Sequence, residues 1–222
     1  MKFNLFSIRS QRARFWRLAF GLGAMVWFAG FNVSDAQTTP VGTTRVEEDW
    51  ELVVGAPDDN DNSPQVTCVI APSDLGSGYA ALDVNFHSQP DYAAGGVQIH
   101  VWSPDTPMLV ANSDATATLQ TSSETITWTT RMSVASNALT FQIVNGSSST
   151  WGDFTDNGSL QLTVGALLAN LDGYSPSVSI ANSGIPYASN RVTSLTLKAI
   201  RYYSSSGQLL GQTTTPQVVY PK

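Results

Sequence analysis

The stretch SLTLKAIRYYSSSGQLLGQ, residues 194–212, is an apolar run, a glycine-bearing break and a second apolar run. Leu195 and Leu197 fall on one side of an extended chain, the run ends in Tyr202 and Tyr203, and Ser206-Gly207 supplies the turn. This is the pattern of a β-hairpin, because successive side chains of a strand face opposite ways and glycine accepts the backbone angles of a tight turn. The same period of two recurs from residue 45 onward. Trp50, Leu52 and Val54 alternate, as do Val66, Cys68 and Ile70, then Leu82, Val84 and Phe86, then Val97, Ile99 and Val101. Ile126, Trp128 and Thr130 follow, then Leu139, Phe141 and Ile143, then Leu160, Leu162 and Val164. No stretch shows sustained helical spacing.

Turn dipeptides stand between these runs: Gly95-Gly96, Asn145-Gly146, Asn157-Gly158, Asp172-Gly173 and Ser206-Gly207. They separate short strands at the spacing of an all-β sandwich. Around a dozen strands exceed the roughly seven to nine of an immunoglobulin-like domain. The pattern therefore predicts an all-β protein, a two-sheet antiparallel β-sandwich of the larger jelly-roll kind. GALLANLDGY, residues 165–174, reads either as the one helical turn or as another strand and loop. Residues 37–44 read as a polar linker, and TTTPQVVYPK, residues 213–222, as an edge strand or a loose tail.

The first 36 residues carry Lys2, Arg9, Arg12, Arg14 and Arg17 ahead of the apolar run LAFGLGAMVWFAGF, residues 18–31, and then Ser34-Asp35-Ala36. A basic start, an apolar middle and a small-x-small end are the layout of a secretory signal peptide, cleaved after Ala36. A transmembrane anchor needs about 20 apolar residues, more than this run offers. The arginines are not paired and no cysteine follows to carry a lipid, so the expected route is Sec-type export to a secreted, periplasmic or cell-surface location. Beyond Ala36 stand 6 basic and 16 acidic residues, a net charge of −10 over 186 residues. So acidic a chain is a poor match for nucleic acid or for anionic membrane, both of which are met by Lys and Arg. Its length fits one domain, residues 45–222. Cys68 is the only cysteine, so no intrachain disulfide forms, and its alternating context QVTCVIAP reads as a buried, inert thiol.

Both histidines and one of the six tryptophans fall in LDVNFHSQPDYAAGGVQIHVW, residues 82–102. If residues 79–87 and 96–103 pair as a hairpin, Leu82, Val84, Phe86, Val97, Ile99 and Val101 face the core. Asp83, Asn85 and His87 then share the other face with Gln98, His100 and Trp102, since cross-strand neighbours lie about 5 Å apart. Amide and imidazole groups beside an indole are what a sugar site is made of. The same six residues also describe the solvated face of an ordinary hairpin, and two histidines with an aspartate also suit a transition metal such as zinc.

The acidic run VEEDWELVVGAPDDNDNSP, residues 46–64, holds seven of those 16 acidic residues. Asp58, Asp59 and Asp61 read as a calcium cluster, because a hard cation collects several oxygens. An EF-hand is not formed, since Pro64 stands where the loop needs glycine and Ile70 where it needs glutamate. The alternative is a solvated acidic turn. NGSSSTWGDFTDNGS, residues 145–159, presents Trp151 and Phe154, which either grip a ligand or cap the core; Asn145 and Asn157 each begin an Asn-Gly-Ser sequon. A glycosidase needs two carboxyl groups about 5 to 9.5 Å apart. Where jelly-roll glucanases carry acidic residues on their central strand, this chain has Asp83, then Asn85, then His87, so a second carboxylate such as Glu124 or Asp153 would have to fold beside Asp83. No Gly-x-Ser-x-Gly elbow, phosphate loop or His-Glu-x-x-His is present, and no catalytic residue is assigned.

At the level of pattern, residues 45–215 resemble the concanavalin A-like lectin and laminin-G class of sandwiches, without the legume-type metal motif. RVEEDWELVV followed by PQVTCVIAP is also similar to a planctomycete-type family of secreted proteins, which implies an exported bacterial protein. The expectation is a non-catalytic module with carbohydrate as the favoured ligand on Asp83, Asn85, His87, Gln98, His100, Trp102 and Trp151. It needs no cofactor unless the acidic loop takes calcium. The alternatives are a structural or adhesion component with an envelope protein as partner, and a polysaccharide hydrolase or lyase.

Overall fold

The computed structural model describes residues 38–56, 64–84, 96–104, 106–117, 119 and 121–221. Among them are thirteen strands in two antiparallel sheets. The larger sheet contains β1 (Arg45–Val54), β6 (Thr125–Ala135), β7 (Ala138–Ser148), β8 (Gly152–Asp153), β9 (Gln161–Gly165), β11 (Val192–Tyr203), β12 (Leu209–Thr213) and β13 (Gln217–Tyr220). Its order is β12, β11, β1, β6, β7, β8, with β13 added to β11 and β9 to β7. The smaller sheet runs in the order β10 (Gly184–Tyr187), β2 (Gln65–Ile70), β3 (Tyr79–Val84), β4 (Val97–Ser103) and β5 (Thr106–Asn112). One short helix, α1 (Pro176–Asn182), leads into β10. The protein is the two-sheet antiparallel β-sandwich that the period of two predicts, and residues Gln37–Lys222 form one compact unit. Among the described residues no helix is long and apolar enough to cross a membrane.

The alternation decides which face is buried. Val46, Trp50, Leu52 and Val54 of β1, Ile126, Trp128 and Met132 of β6, Phe141 and Ile143 of β7, and Leu195 and Leu197 of β11 form one inner face. Val66, Cys68, Ile70, Leu82, Val84, Val97, Ile99 and Val101 form the other. Each fully buried aliphatic or aromatic side chain contributes about 1.5 to 3 kcal/mol, which is how a chain with one cysteine stays folded. Trp50 and Trp128 lie opposite each other on β1 and β6, with parallel rings 6.4 Å apart. Burial pushes the Cys68 thiol well up, with Glu48 and Asp83 adding to the shift, so the residue packs as a small neutral group.

One inward position of β1 is charged. Glu48 has no exposed surface; one carboxylate oxygen accepts from the Tyr174 hydroxyl at 2.5 Å and the other from Trp50 Nε1 at 3.1 Å. Burial, only partly offset by bonds from Ser179, Tyr174 and Trp50, pushes its carboxyl up to about 7. The contact ties the segment before α1 to the middle of the larger sheet.

Two local expectations are corrected and two open readings are decided. GALLANLDGY is turn and loop, not a helix: Asp172 accepts from the amides of Gly42 and Thr43, and the helix starts only at Pro176, whose fixed φ suits a first helical position. Asn145-Gly146 is not a hairpin turn but a bulge inside β7, with Asn145 in the left-handed region at φ 55. Residues 38–44 do not behave as a linker, since Thr39 donates to the Tyr174 carbonyl and Thr43 is buried. The tail forms β13, which pairs with Leu195–Leu197 of β11.

Candidate functional site

The hairpin expected around the two histidines forms, with Tyr79 opposite Trp102, Ala81 opposite His100 and Asp83 opposite Gln98. Asp83, Gln98, His100 and Trp102 therefore share the outer face of the smaller sheet. Flanking strands extend it: Thr67 of β2 lies beside Asp83, while Val110 and Asn112 of β5 lie beside His100 and Gln98. Asn85 and His87 lie outside the described residues.

Burial divides this face in two. Asp83 is 0% and Gln98 3% exposed, so neither presents itself to solvent as the sequence suggests. A buried carboxylate needs polar partners: Thr67 Oγ1 donates to Asp83 Oδ1 at 2.5 Å, and His100 Nδ1 sits 2.9 Å from Oδ2, off the direction of a linear hydrogen bond. Asp83 thus lies beneath His100, whose side chain is 18% exposed. At the other end of the hairpin Trp102 remains 37% exposed and stacks on Tyr79, with ring centroids 5.8 Å apart and planes at 26°. Met108 and Val110, on the outward side of β5, add exposed apolar atoms, and Asn112 continues the row as an exposed amide. The result is an aromatic and aliphatic strip bordered by imidazole and amide groups.

Trp151 does not join this strip. It caps a separate cleft of about 280 Å³ formed with Ser113, Asp114, Asp153, Phe154 and Asn157. Its Nε1 donates to the Ala117 carbonyl at 2.6 Å, and its ring meets Phe154 edge-on at 5.7 Å. The Ser113 amide bonds to the Val97 carbonyl, which sets this cleft at the opposite end of β4 from Trp102. Five residues of strand separate the two ends, roughly 16 Å. In the cleft Asp156 contacts Asp153 and its carboxyl is pushed up by that neighbour.

The two carboxylates considered as catalytic partners of Asp83 are engaged elsewhere. Glu124 accepts from Ser148 Oγ at 2.6 Å and from the amide and hydroxyl of Thr150 at 2.8 and 2.6 Å. Burial pushes its carboxyl up, and those bonds outweigh the effect and hold it below the usual value. Asp153 accepts from the amide and hydroxyl of Thr155, which hold it down. Among the described residues no three His, Cys, Asp or Glu side chains converge to hold a metal ion, and Asp58, Asp59 and Asp61 lie outside those residues.

The acidic residues of β1 split by parity. Glu47, Asp49 and Glu51 face outward and are matched by cations from neighbouring strands: Arg131 Nε reaches Glu47 at 2.8 Å, Arg201 forks onto Asp49 and Lys198 Nζ lies 3.1 Å from Glu51. The bonds to Asp49 hold the Arg201 guanidinium well above its usual range. Beside them a shallow depression of about 320 Å³ is lined by Asp49, Glu51, Thr129, Asn145, Lys198 and Arg201. These charges neutralise one another across the sheet, so the depression offers no unmatched charge to a ligand. Compared with known proteins, the chain matches no protein-family model and no curated protein.

Proposed function

We propose that the protein is a non-catalytic binding module, exported by its N-terminal signal, that carries a carbohydrate on the outer face of the smaller sheet. The observation that supports this reading is Trp102, left 37% exposed and stacked on Tyr79 beside His100 and Asn112. A pyranose ring has an apolar C–H face and a rim of hydroxyls. An indole face takes the first, and a ring nitrogen and a carboxamide take the second. The described part of this face carries no lysine or arginine, which suits a neutral glycan better than an acidic one.

A second reading has its own support. β5 is an edge strand whose outward side exposes Met108 (59%) and Val110 (46%), the kind of apolar surface that a protein partner in an envelope complex covers. One experiment separates the two: binding of the purified protein to a glycan array and to insoluble polysaccharides, with calcium and with chelator, beside Trp102→Ala and a Met108→Ser/Val110→Thr double variant. Selective glycan binding lost in Trp102→Ala but kept in the double variant supports the carbohydrate reading. Absence of glycan binding under both conditions refutes it.

A further inference from the structure

The chain contains the tripeptide Asn-Gly-Ser twice, at residues 145–147 and 157–159, and the fold treats the two copies differently. We propose that Asn157 is a site of spontaneous deamidation, giving aspartate and isoaspartate, while Asn145 is protected by its place in β7. In this reaction the Gly158 amide nitrogen, having lost its proton to solvent base, attacks Cγ of Asn157. The N–Cγ bond forms, the Cγ–Nδ2 bond breaks, and Nδ2 takes a proton from water and leaves as ammonia. One water then opens the cyclic imide at either carbonyl. One water enters, one ammonia leaves, and nothing is oxidised or reduced.

Three features favour the reaction at Asn157. Asn157 and Gly158 are exposed in a turn, Gly158 is in the left-handed region at φ 65, and open space surrounds its Cα. The Ser159 amide donates to Asn157 Oδ1 at 2.9 Å, which polarises the carbonyl under attack and stabilises the oxyanion that forms there. Asn157 Nδ2 donates to Asp114 Oδ2 at 2.9 Å, a bond exposed to solvent and so easily broken, unlike the part-buried bond of the other copy. The attacking N–H is restrained by one turn bond, to the Thr155 carbonyl at 3.1 Å.

At Asn145 the same atoms are locked. The Gly146 N–H is held by Thr155 Oγ1 at 2.9 Å and its carbonyl accepts from the Phe154 amide. The Phe154 ring and Thr155 methyl lie so close that a Cβ at Gly146 would stand 2.5 and 2.6 Å from them. Asn145 Nδ2 is tied to Thr129 Oγ1, and β7 is bonded to β6 on one side and to β8 and β9 on the other. Deamidation at Asn157 replaces the link to Asp114 with a facing pair of carboxylates, in a cleft that already holds Asp153 and Asp156. The reaction is thus an ageing step that adds one negative charge and loosens the Trp151 cleft.

The test is incubation of the purified protein in mildly alkaline buffer for days, natively and in urea, followed by peptide mass mapping and isoaspartate detection at both asparagines. Native protein is expected to convert at Asn157 and gain one negative charge on ion exchange, with Asn145 intact, whereas in urea both sites convert. Gly158→Ala, whose added Cβ meets nothing but whose φ of 65 strains the native turn, is expected to slow conversion at Asn157 in urea, where that strain is relieved. Equal conversion of the two sites in native protein overturns the proposal, as does an unmodified native Asn157 once the urea sample has reacted. Undiminished conversion of Gly158→Ala in urea overturns the backbone-attack mechanism.

Discussion

Replacing Glu48 by glutamine tests how the interior of the sandwich accommodates its one inward carboxylate on β1. The side chain has no exposed surface, and its two oxygens accept from Tyr174 and Trp50. Glutamine keeps the shape: its carbonyl oxygen faces Trp50 Nε1, which can only donate, and its amide faces the Tyr174 hydroxyl, which can turn to accept. Burial raises the carboxyl from 4.5 to about 7, and at about 1.4 kcal/mol per pH unit that difference is worth about 3 kcal/mol. The sign follows from which state holds the proton more tightly. The folded protein does, so the contribution of Glu48 is fully present below pH 4.5, fades as the pH rises to about 7, and is absent above. Urea unfolding followed by tryptophan fluorescence, repeated across that window, should show wild type losing about 3 kcal/mol relative to Glu48→Gln. Both proteins keep every other titrating group, so the difference between the two curves isolates this residue. Parallel curves from pH 4.5 to pH 8 would refute the reasoning.

Other substitutions probe other parts of the molecule. Trp102→Ala removes a ring that is 37% exposed and its stack on Tyr79, worth about 0.5 to 1.5 kcal/mol beyond the area it buries, so glycan binding should vanish and the unfolding midpoint fall by several degrees; unchanged glycan binding would mean the ring takes no part in the site. Gly146→Ala drives a methyl to 2.5 Å from the Phe154 ring, and thermal or urea unfolding should report about 1 to 3 kcal/mol of overpacking. Glu124→Ala strips the 148–150 segment of its shared acceptor, which should cost about 2 kcal/mol at neutral pH and change Trp151 fluorescence. Because the folded Glu124 carboxyl lies below its ordinary value, its stabilisation holds above that value and is lost as the pH falls through the depressed one. The acid limb of the wild-type stability curve should therefore be steeper than that of Glu124→Ala.

The inner faces were legible because apolar residues on alternate positions leave one side for the core, and Trp50, Val66, Ile99 and Leu197 all obey that pattern. The shared face of Asp83, Gln98, His100 and Trp102 was legible for the same reason, while the register of β3 against β4 was not, since alternation fixes parity alone. Depth was not, since period says which way a side chain points and nothing about what covers it; hence Asp83 and Gln98 are buried where solvent was expected. Tyr79 went unnoticed although it has the same parity as Asp83, because its role depends on Trp102 lying opposite. β5 has no clean apolar alternation and carries Pro107, which a sheet edge tolerates because an N–H is not needed there. Asn145-Gly146 carries the same local chemistry as Asn157-Gly158, and only the packing of Phe154 and Thr155, close in space, makes one a bulge and the other a turn. Glu48 breaks the polarity rule of its own strand, and its partner Tyr174 is 126 residues away.

The neighbours of β1 also set the order in which this molecule can assemble. Arg45 lies opposite Tyr203 and Val54 opposite Val192, so the first strand to be synthesised borrows one side of its ladder from the eleventh. Closing so long a loop carries an entropic cost that no nearby hairpin repays, which places such a topology among slowly folding chains, on the millisecond-to-second scale. Until Val192–Tyr203 is available, the nascent chain presents β1 with an unpaired edge. The cations on Glu47, Asp49 and Glu51 come from β6 and β11, apart from Arg45 of β1 itself on Glu47. During that wait Glu47 already has Arg45 and Arg131, while Asp49 and Glu51 stand without their β11 cations and keep the open edge from pairing with another copy of itself.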